Sequence, residues 1–199
     1  MRRLIETLKI ENGIPQNIEL HEERMNAARR NLWELEDKLS ITKKIKIPAS
    51  CVAGTVKCRI IYSDIIHSIE YENYIIRNIK KLKIVSSDSI EYKYKWQNRS
   101  EINNLFEQRG DCDDIIILKN NMITDSSFAN LVFYDGFSYL TPEHPLLKGI
   151  RRQKLLNDGK IKTGIITLEN IFDFKKIFLI NAMIDIDCLE IKTGDVYLK

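Results

Sequence analysis

The sequence predicts an α+β fold on three observations. From Glu19 to about Leu39, apolar residues recur at three- and four-residue steps (Leu20, Met25, Ala28, Leu32, Leu35, Leu39), the period of an amphipathic helix. Much of the remainder is β-rich and falls into hairpins, most clearly "ANLVFYDGFSYLTP", where two such arms flank Asp135-Gly136. Helical and extended segments do not alternate regularly, which argues against a doubly wound parallel sheet.

In chain order, "RLIETLKI" reads as a strand and "ENG" (11–13) as its turn. "IPQNIEL" leads into the long helix, and Ile47–Ala53 reads as a loop because of Pro48 and Gly54. "TVKCRIIYS" (55–63) and "IIHSIEYENYII" (65–76) form a hairpin, and "IKKLKIVSS" continues that region. "SSDS" (86–89) is the best linker candidate. "SEINNLFEQRG" is a helix capped by Ser100 and stopped by Gly110. "DDIIILKNNMITD" is a buried strand, an Asn-Asn turn and a second short strand. A helix starts near Gly149 and ends at Gly159, and "ITLENIF" is a further short helix with Thr167 as its cap. "KKIFLINAMIDIDCLEI" is a strand, a loop and a final strand.

The bulk numbers exclude several function classes. The 199 residues are 44% hydrophobic, enough for a sizeable core. Lys+Arg 31 against Asp+Glu 28 leaves a net charge of +3, too slight and too evenly interleaved to predict a nucleic-acid partner. "MRRLIETLKIENG" lacks the apolar run of a signal peptide, and no stretch suits a membrane helix; a cytoplasmic location is expected. Cys51, Cys58, Cys112 and Cys188 form no CxxC pair and only three histidines are present, so free thiols are expected and no metal site.

Four stretches carry candidate chemistry, each with a plainer reading beside it. In "HEERM" (21–25), Arg24 suits a phosphate or carboxylate, or belongs to a solvated face. In "EYKYKWQNR" (91–99), strand alternation puts Lys93 and Lys95 on one face and the three aromatics on the other. A half-buried amine there is a nucleophile; an edge strand with snorkelling lysines is the alternative. In "ITDSSFAN" (123–130), Asp125 is a buried anion or a turn aspartate. In "LLKGIRRQKLL", Gly149 at a helix start frees backbone N–H groups for a phosphate, or simply caps the helix.

Taken in order, these motifs resemble the class IV aminotransferases, the fold-type IV pyridoxal-phosphate enzymes, and among them the 4-amino-4-deoxychorismate lyases. The motifs are "IETLKIENG", "HEERM", Lys95-Trp96-Gln97-Asn98-Arg99, Thr124-Asp125 with Asn130, Thr141-Pro142, Gly149-Ile150-Arg151-Arg152-Gln153 and "FLINAM" (178–183). The resemblance runs from residue 4 nearly to the C-terminus. It implies a two-domain fold with pyridoxal 5'-phosphate between the domains: a small N-terminal α/β domain over 1–88, a linker over 89–96 carrying the lysine, and a larger α+β domain over 97–199. It implies Lys95 as the Schiff-base lysine and catalytic base, with Lys93 as scaffold. Arg24 would hold the cofactor phosphate, with the backbone N–H groups of Ile150, Arg151, Ala182 and Met183 completing the cup. Asp125 would pair with the pyridine nitrogen.

The implied reaction is release of pyruvate from 4-amino-4-deoxychorismate to give 4-aminobenzoate, for folate synthesis, in a homodimer acting on a small amine. A D- or branched-chain amino-acid aminotransferase is the alternative enzyme, and a non-catalytic accessory module the alternative of another class. The chain departs from the family in having aspartate, not glutamate, at Asp125 and Arg151 where threonine is common. It also lacks the "GDG"-like N-terminal turn, and the arginine-glycine pair expected after "TVKCRIIYS" to bind substrate carboxylate. Arg59 and Arg77 are the candidates to replace that arginine.

Overall fold

A computed structural model describes residues 2–198 of the chain. Contacts group them into two units, one formed by the chain up to Ile76 with Tyr94–Asn98, the other by Arg77–Lys93 and everything from Arg99 onward. The sequence expectation put boundaries at 88/89 and 96/97; the contacts place residues 77–93 with the larger unit and 94–98 with the smaller.

The smaller unit begins with β1 (Leu4–Glu11), which turns through Asn12 and Gly13, both at positive φ, into the two-residue β2 (Ile14–Pro15). Helices α1 (Ile18–Trp33) and α2 (Ile41–Lys44) follow, then the hairpin of β3 (Thr55–Tyr62) and β4 (Ile66–Asn73). The sheet order is β2-β1-β3-β4, with β1 and β3 antiparallel over their full length. Strand alternation divides the sheet into two faces. Leu4, Leu8 and Ile10 share one with Val56, Cys58 and Ile60, and bury it against Met25 and Ala28 of α1 and Ile41 of α2. Glu6 falls in this apolar row and is fully buried.

Helix α1 stops at Trp33 and does not continue to Leu39 as the periodicity suggests. Glu34 adopts the left-handed conformation (φ 56°), which ends the helix. Two buried side chains then tie the following segment back along it. Arg29 donates to the backbone carbonyl and carboxylate of Asp37, and Asn26 bonds both the N–H and the C=O of Leu39. Leu39 reaches the core from a loop.

The stretch 91–99 is likewise not a strand. Only Trp96 makes a bridge, to Leu4, while Ile5 N–H donates to Lys95 O and Gln97 N–H to Arg3 O. The aromatics therefore do not share one face. Tyr92 is buried in the larger unit, whereas Tyr94 and Trp96 pack on the core of the smaller one with their rings edge to face.

The larger unit starts with β5 (Leu82–Ser86), which crosses over through α3 (Ser100–Phe106) to the parallel strand β6 (Asp114–Lys119). This pairing removes "IKKLKIVSS" from the N-terminal hairpin it was expected to continue. "SSDS" is the turn after β5, where Asp88 accepts from Asn120 N–H. Ser100 lies inside α3; Arg99 occupies the cap position and its guanidinium goes to Ser127 O. Strands β7 (Met122–Ser126), β8 (Asn130–Tyr134) and β9 (Tyr139–Pro142) continue the sheet as antiparallel hairpins through Asn120-Asn121 and Asp135-Gly136. Helix α4 (Ile150–Asn157) follows, then β10 (Lys162–Gly164), parallel to β9, and β11 (Lys176–Ile180), antiparallel to β8. Strands β12 (Glu190–Lys192) and β13 (Val196–Tyr197) close the chain, β13 beside β5. "ITLENIF" gives only a 3-10 turn, Ile171–Asp173; Thr167 does not cap it but donates its N–H to Asn170 Oδ1. Ile115, Ile116, Leu131, Val132, Phe133, Leu179 and Ile180 form the interior.

Candidate active site

In the smaller unit the chemistry gathers around β1. Lys95 is half-buried, and its Nζ donates to Thr7 Oγ1 at 3.1 Å. Glu6, next in the chain but on the opposite face, holds Arg24 through Nε to Oε1 at 2.9 Å and a terminal nitrogen to Oε2 at 2.5 Å. The forked contact fixes the plane of the guanidinium. His21, one turn earlier on α1, completes the cluster with Nδ1 2.6 Å from Glu6 Oε2.

Burial pushes the Glu6 carboxyl up, but the Arg24 charge and the bonds from His21 and Arg24 outweigh it and bring it down to about 2. An ionised carboxylate only accepts, so Nδ1 of His21 carries the shared proton. Burial pushes His21 down and favours the neutral ring, outweighing the upward pull of Glu6. Its Nε2 is buried with no hydrogen-bond partner among the described residues.

The sequence singled out Arg24 and Lys95 but gave no role to Glu6, His21 or Thr7. A signal for the first two was present: a glutamate in the apolar row of β1, and a histidine three residues before an arginine on one helix.

In the larger unit Asp125 is buried on β7. Its Oδ1 accepts from Asn130 Nδ2 at 2.7 Å and its Oδ2 from Leu147 N–H at 2.9 Å. Burial raises the carboxyl to about 6, against these two donors and the more distant charge of Arg152. Asn130 also donates to Leu147 O and lies against Gly149, where a β-carbon would sit 2.0 Å from Asn130 Oδ1. Glycine at the start of α4 therefore makes room for the side chain that holds Asp125. Arg152 is buried on α4 and bonds Thr141 Oγ1 and Pro142 O, explaining the Thr141-Pro142 step structurally.

The helix start and the Asn181 turn are joined by an ion pair between Arg151 and Asp185. Of the two amides expected from that turn, Met183 N–H is taken by Asn181 Oδ1 at 2.8 Å. Lys93 is exposed and lines a cavity of about 280 Å³ with Tyr92, Lys119, Thr124 and His144. Among the described residues no cluster of His, Cys, Asp and Glu is placed to hold a metal ion, and no helix is long and apolar enough to cross a membrane.

The profile of the family described as Amino-transferase class IV matches residues 98–188. A crystal structure from Haemophilus somnus, named a "putative 4-amino-4-deoxychorismate lyase", is 31% identical, covers 93% of this chain and 98% of its own, and superposes with a TM-score of 0.86. This chain belongs to the class IV aminotransferase family. A protein of Haemophilus influenzae is 42% identical over 188 residues, 92% of this chain and 98% of the relative. The branched-chain amino acid aminotransferase of Escherichia coli shares the fold at 13% identity, covering 98% of this chain and 76% of its own with a TM-score of 0.72. Fold-type IV is thereby shown, and two relatives are matched over nearly their whole length by this short chain.

Proposed function

We propose that this chain is a pyridoxal-phosphate-dependent lyase that converts 4-amino-4-deoxychorismate to 4-aminobenzoate and pyruvate. The observation that carries the reading is the match to the Haemophilus somnus protein, which spans nearly all of both chains at 31% identity, whereas the Escherichia coli aminotransferase shares the fold at 13%.

The residues fit the cofactor. Lys95 offers an amine, Arg24 a cation fixed by Glu6, and Asp125 a carboxylate whose pKa is raised by burial. A protonated ring nitrogen would bring Asp125 a cationic partner and would favour its ionised form. Ile150 and Arg151 N–H lie at the glycine-led start of α4, where phosphate is favoured, and the Asn181 turn adds Ala182, since the Met183 amide is already engaged. When bound, pyridoxal phosphate supplies an electron sink for the carbon that bears the substrate nitrogen. Lys95 Nζ would hold the cofactor and would be the base for the proton on that carbon. Thr7 Oγ1 holds Nζ in place.

The test begins with cofactor uptake. The purified protein should gain visible absorbance with pyridoxal phosphate, and borohydride should fix a pyridoxyl group on Lys95 by mass spectrometry. Lys95→Ala should abolish both; labelling that survives it overturns the assignment. Release of 4-aminobenzoate from aminodeoxychorismate is then assayed beside keto-acid transamination. Transamination without 4-aminobenzoate would reverse the choice in favour of an aminotransferase.

A further inference from the structure

The cavity beside Lys93 takes no part in the reaction proposed above. Its volume of about 280 Å³ is near the lower end of small-ligand pockets. Its lining comes from the stretch 91–93, the hairpin joining β6 to β7, and the stretch 144–146 after β9, all within the larger unit. Asp125 is not part of that lining; its carboxylate is held by Asn130 and Leu147 N–H. Lys93 and Lys119 bring two positive charges to the cavity and Glu91 one negative. Lys119 Nζ donates to Ile90 O at 2.6 Å and to Glu91 Oε1 at 2.7 Å, so those two charges answer each other. One positive charge, that of Lys93, is left in excess, and the His144 ring adds a nitrogen that can donate. Tyr92, buried, and Met122 and Leu146, half-buried, supply apolar surface. Thr124 spends its hydroxyl hydrogen on Ile117 O at 2.8 Å.

We propose that this cavity is a second binding site, taking a small organic carboxylate with Lys93 and His144 at the anionic end and Tyr92, Met122 and Leu146 along the apolar part. One excess positive charge matches a monoanion, whereas a phosphate dianion would be left half-answered and would crowd Glu91. The apolar lining selects a ligand with a hydrocarbon body over a bare inorganic ion. The site rests on the larger unit alone and does not depend on the reading of Lys95 as the cofactor lysine.

The test is an NMR titration of the full chain carrying labelled methionine methyl groups. Met122 lines the cavity, Met183 lies in the Asn181 turn and Met25 in the core of the smaller unit, so each reports on a different place. Benzoate should shift the Met122 signal saturably and leave Met25 and Met183 where they are. Benzamide, its neutral counterpart, should bind more weakly by about two- to fivefold, the range of an exposed ion pair. Lys93 is exposed, so Lys93→Gln leaves the fold intact and should remove most of that preference. No saturable shift at Met122, equal affinity for the two probes, or a preference undiminished in Lys93→Gln overturns the site. A benzoate shift at Met183 in place of Met122 does the same, since it moves the carboxylate to the Asn181 turn. Pyridoxal phosphate, titrated separately, should shift Met183 and not Met122. If it shifts neither, the cofactor reading fails while the benzoate result stands; if it shifts Met122, the cavity belongs to the cofactor site and the second site falls.

Discussion

Glu6 and Asp125 are both buried carboxylates on β-strands, and their surroundings drive them in opposite directions. Glu6 lies against a guanidinium and an imidazole and is held near 2; Asp125 is bonded by a side-chain amide and a backbone N–H and rises to about 6. Desolvation acts upward on both. What separates them is whether the hydrogen-bond donors carry charge. The first cluster is internally neutralised and serves as a fixed support. The second leaves a carboxylate whose charge is not balanced by a directly bonded cation, the condition expected of a group that waits for one.

The largest effect should come from breaking the balanced cluster. Glu6→Ala leaves the buried His21 without its acceptor and Arg24 without its forked partner, and breaking a buried pair in this way costs about 3–5 kcal/mol. Arg24 retains some access to water, so the lower end is expected. Urea unfolding measures it. A loss under about 1 kcal/mol would show that the cluster does not brace the fold, and would remove half of the contrast.

The pH dependence of stability sharpens the comparison, because the two groups have opposite signs. Glu6 titrates lower in the folded state than its ordinary value of 4.5, so its ionised form supports the fold, and that support is lost as pH falls from about 4.5 toward 2. Asp125 titrates higher than its ordinary 3.8, so its ionisation weakens the fold, and stability is gained as pH falls from about 6 toward 4. Each window corresponds to about 3 kcal/mol. Subtracting the Asp125→Asn profile from wild type should isolate the upper window, and subtracting Glu6→Gln the lower one. Windows of the same sign would mean that the partners do not control the two carboxylates as their geometry indicates.

The same contrast marks what was legible in the sequence. The hairpin at Asp135-Gly136, the Asn-Asn turn and the helix after Gly149 depend on local backbone chemistry, and local patterns reveal them. The end of α1 was hidden because Asn26 and Arg29 terminate its apolar pattern through tertiary bonds to Leu39 and Asp37. Strand β5 was misplaced because its partner, β6, lies beyond an intervening helix, and parallel pairing leaves no mark at a turn. Lys95 stood out from Lys93 through the family resemblance, by its spacing to Asn98-Arg99 and to Asp125; alternation failed because the segment is not a strand. Arg24 was legible as a cation, but the carboxylate that orients it lies eighteen residues earlier, on another element.

The smallest predicted effect probes the neutral side of the comparison. Gly149 has an ordinary backbone conformation (φ −72°, ψ 149°), so glycine is not needed there for its dihedral freedom. It is needed for space, since a methyl group would meet Asn130 Oδ1 at 2.0 Å. Gly149→Ala should cost about 1–3 kcal/mol as an overpacked contact. Asn130 would also be pushed off Asp125, removing one of its two hydrogen-bond donors, so the carboxyl should titrate still higher and the upper pH window should move up with it. In Asn130→Ala the obstructing amide is gone, and adding Gly149→Ala should then cost little, a coupling that a double-mutant cycle reads directly. If the two changes are additive instead, the glycine is not answering to Asn130, and the neutral shell around Asp125 is not built by the start of α4.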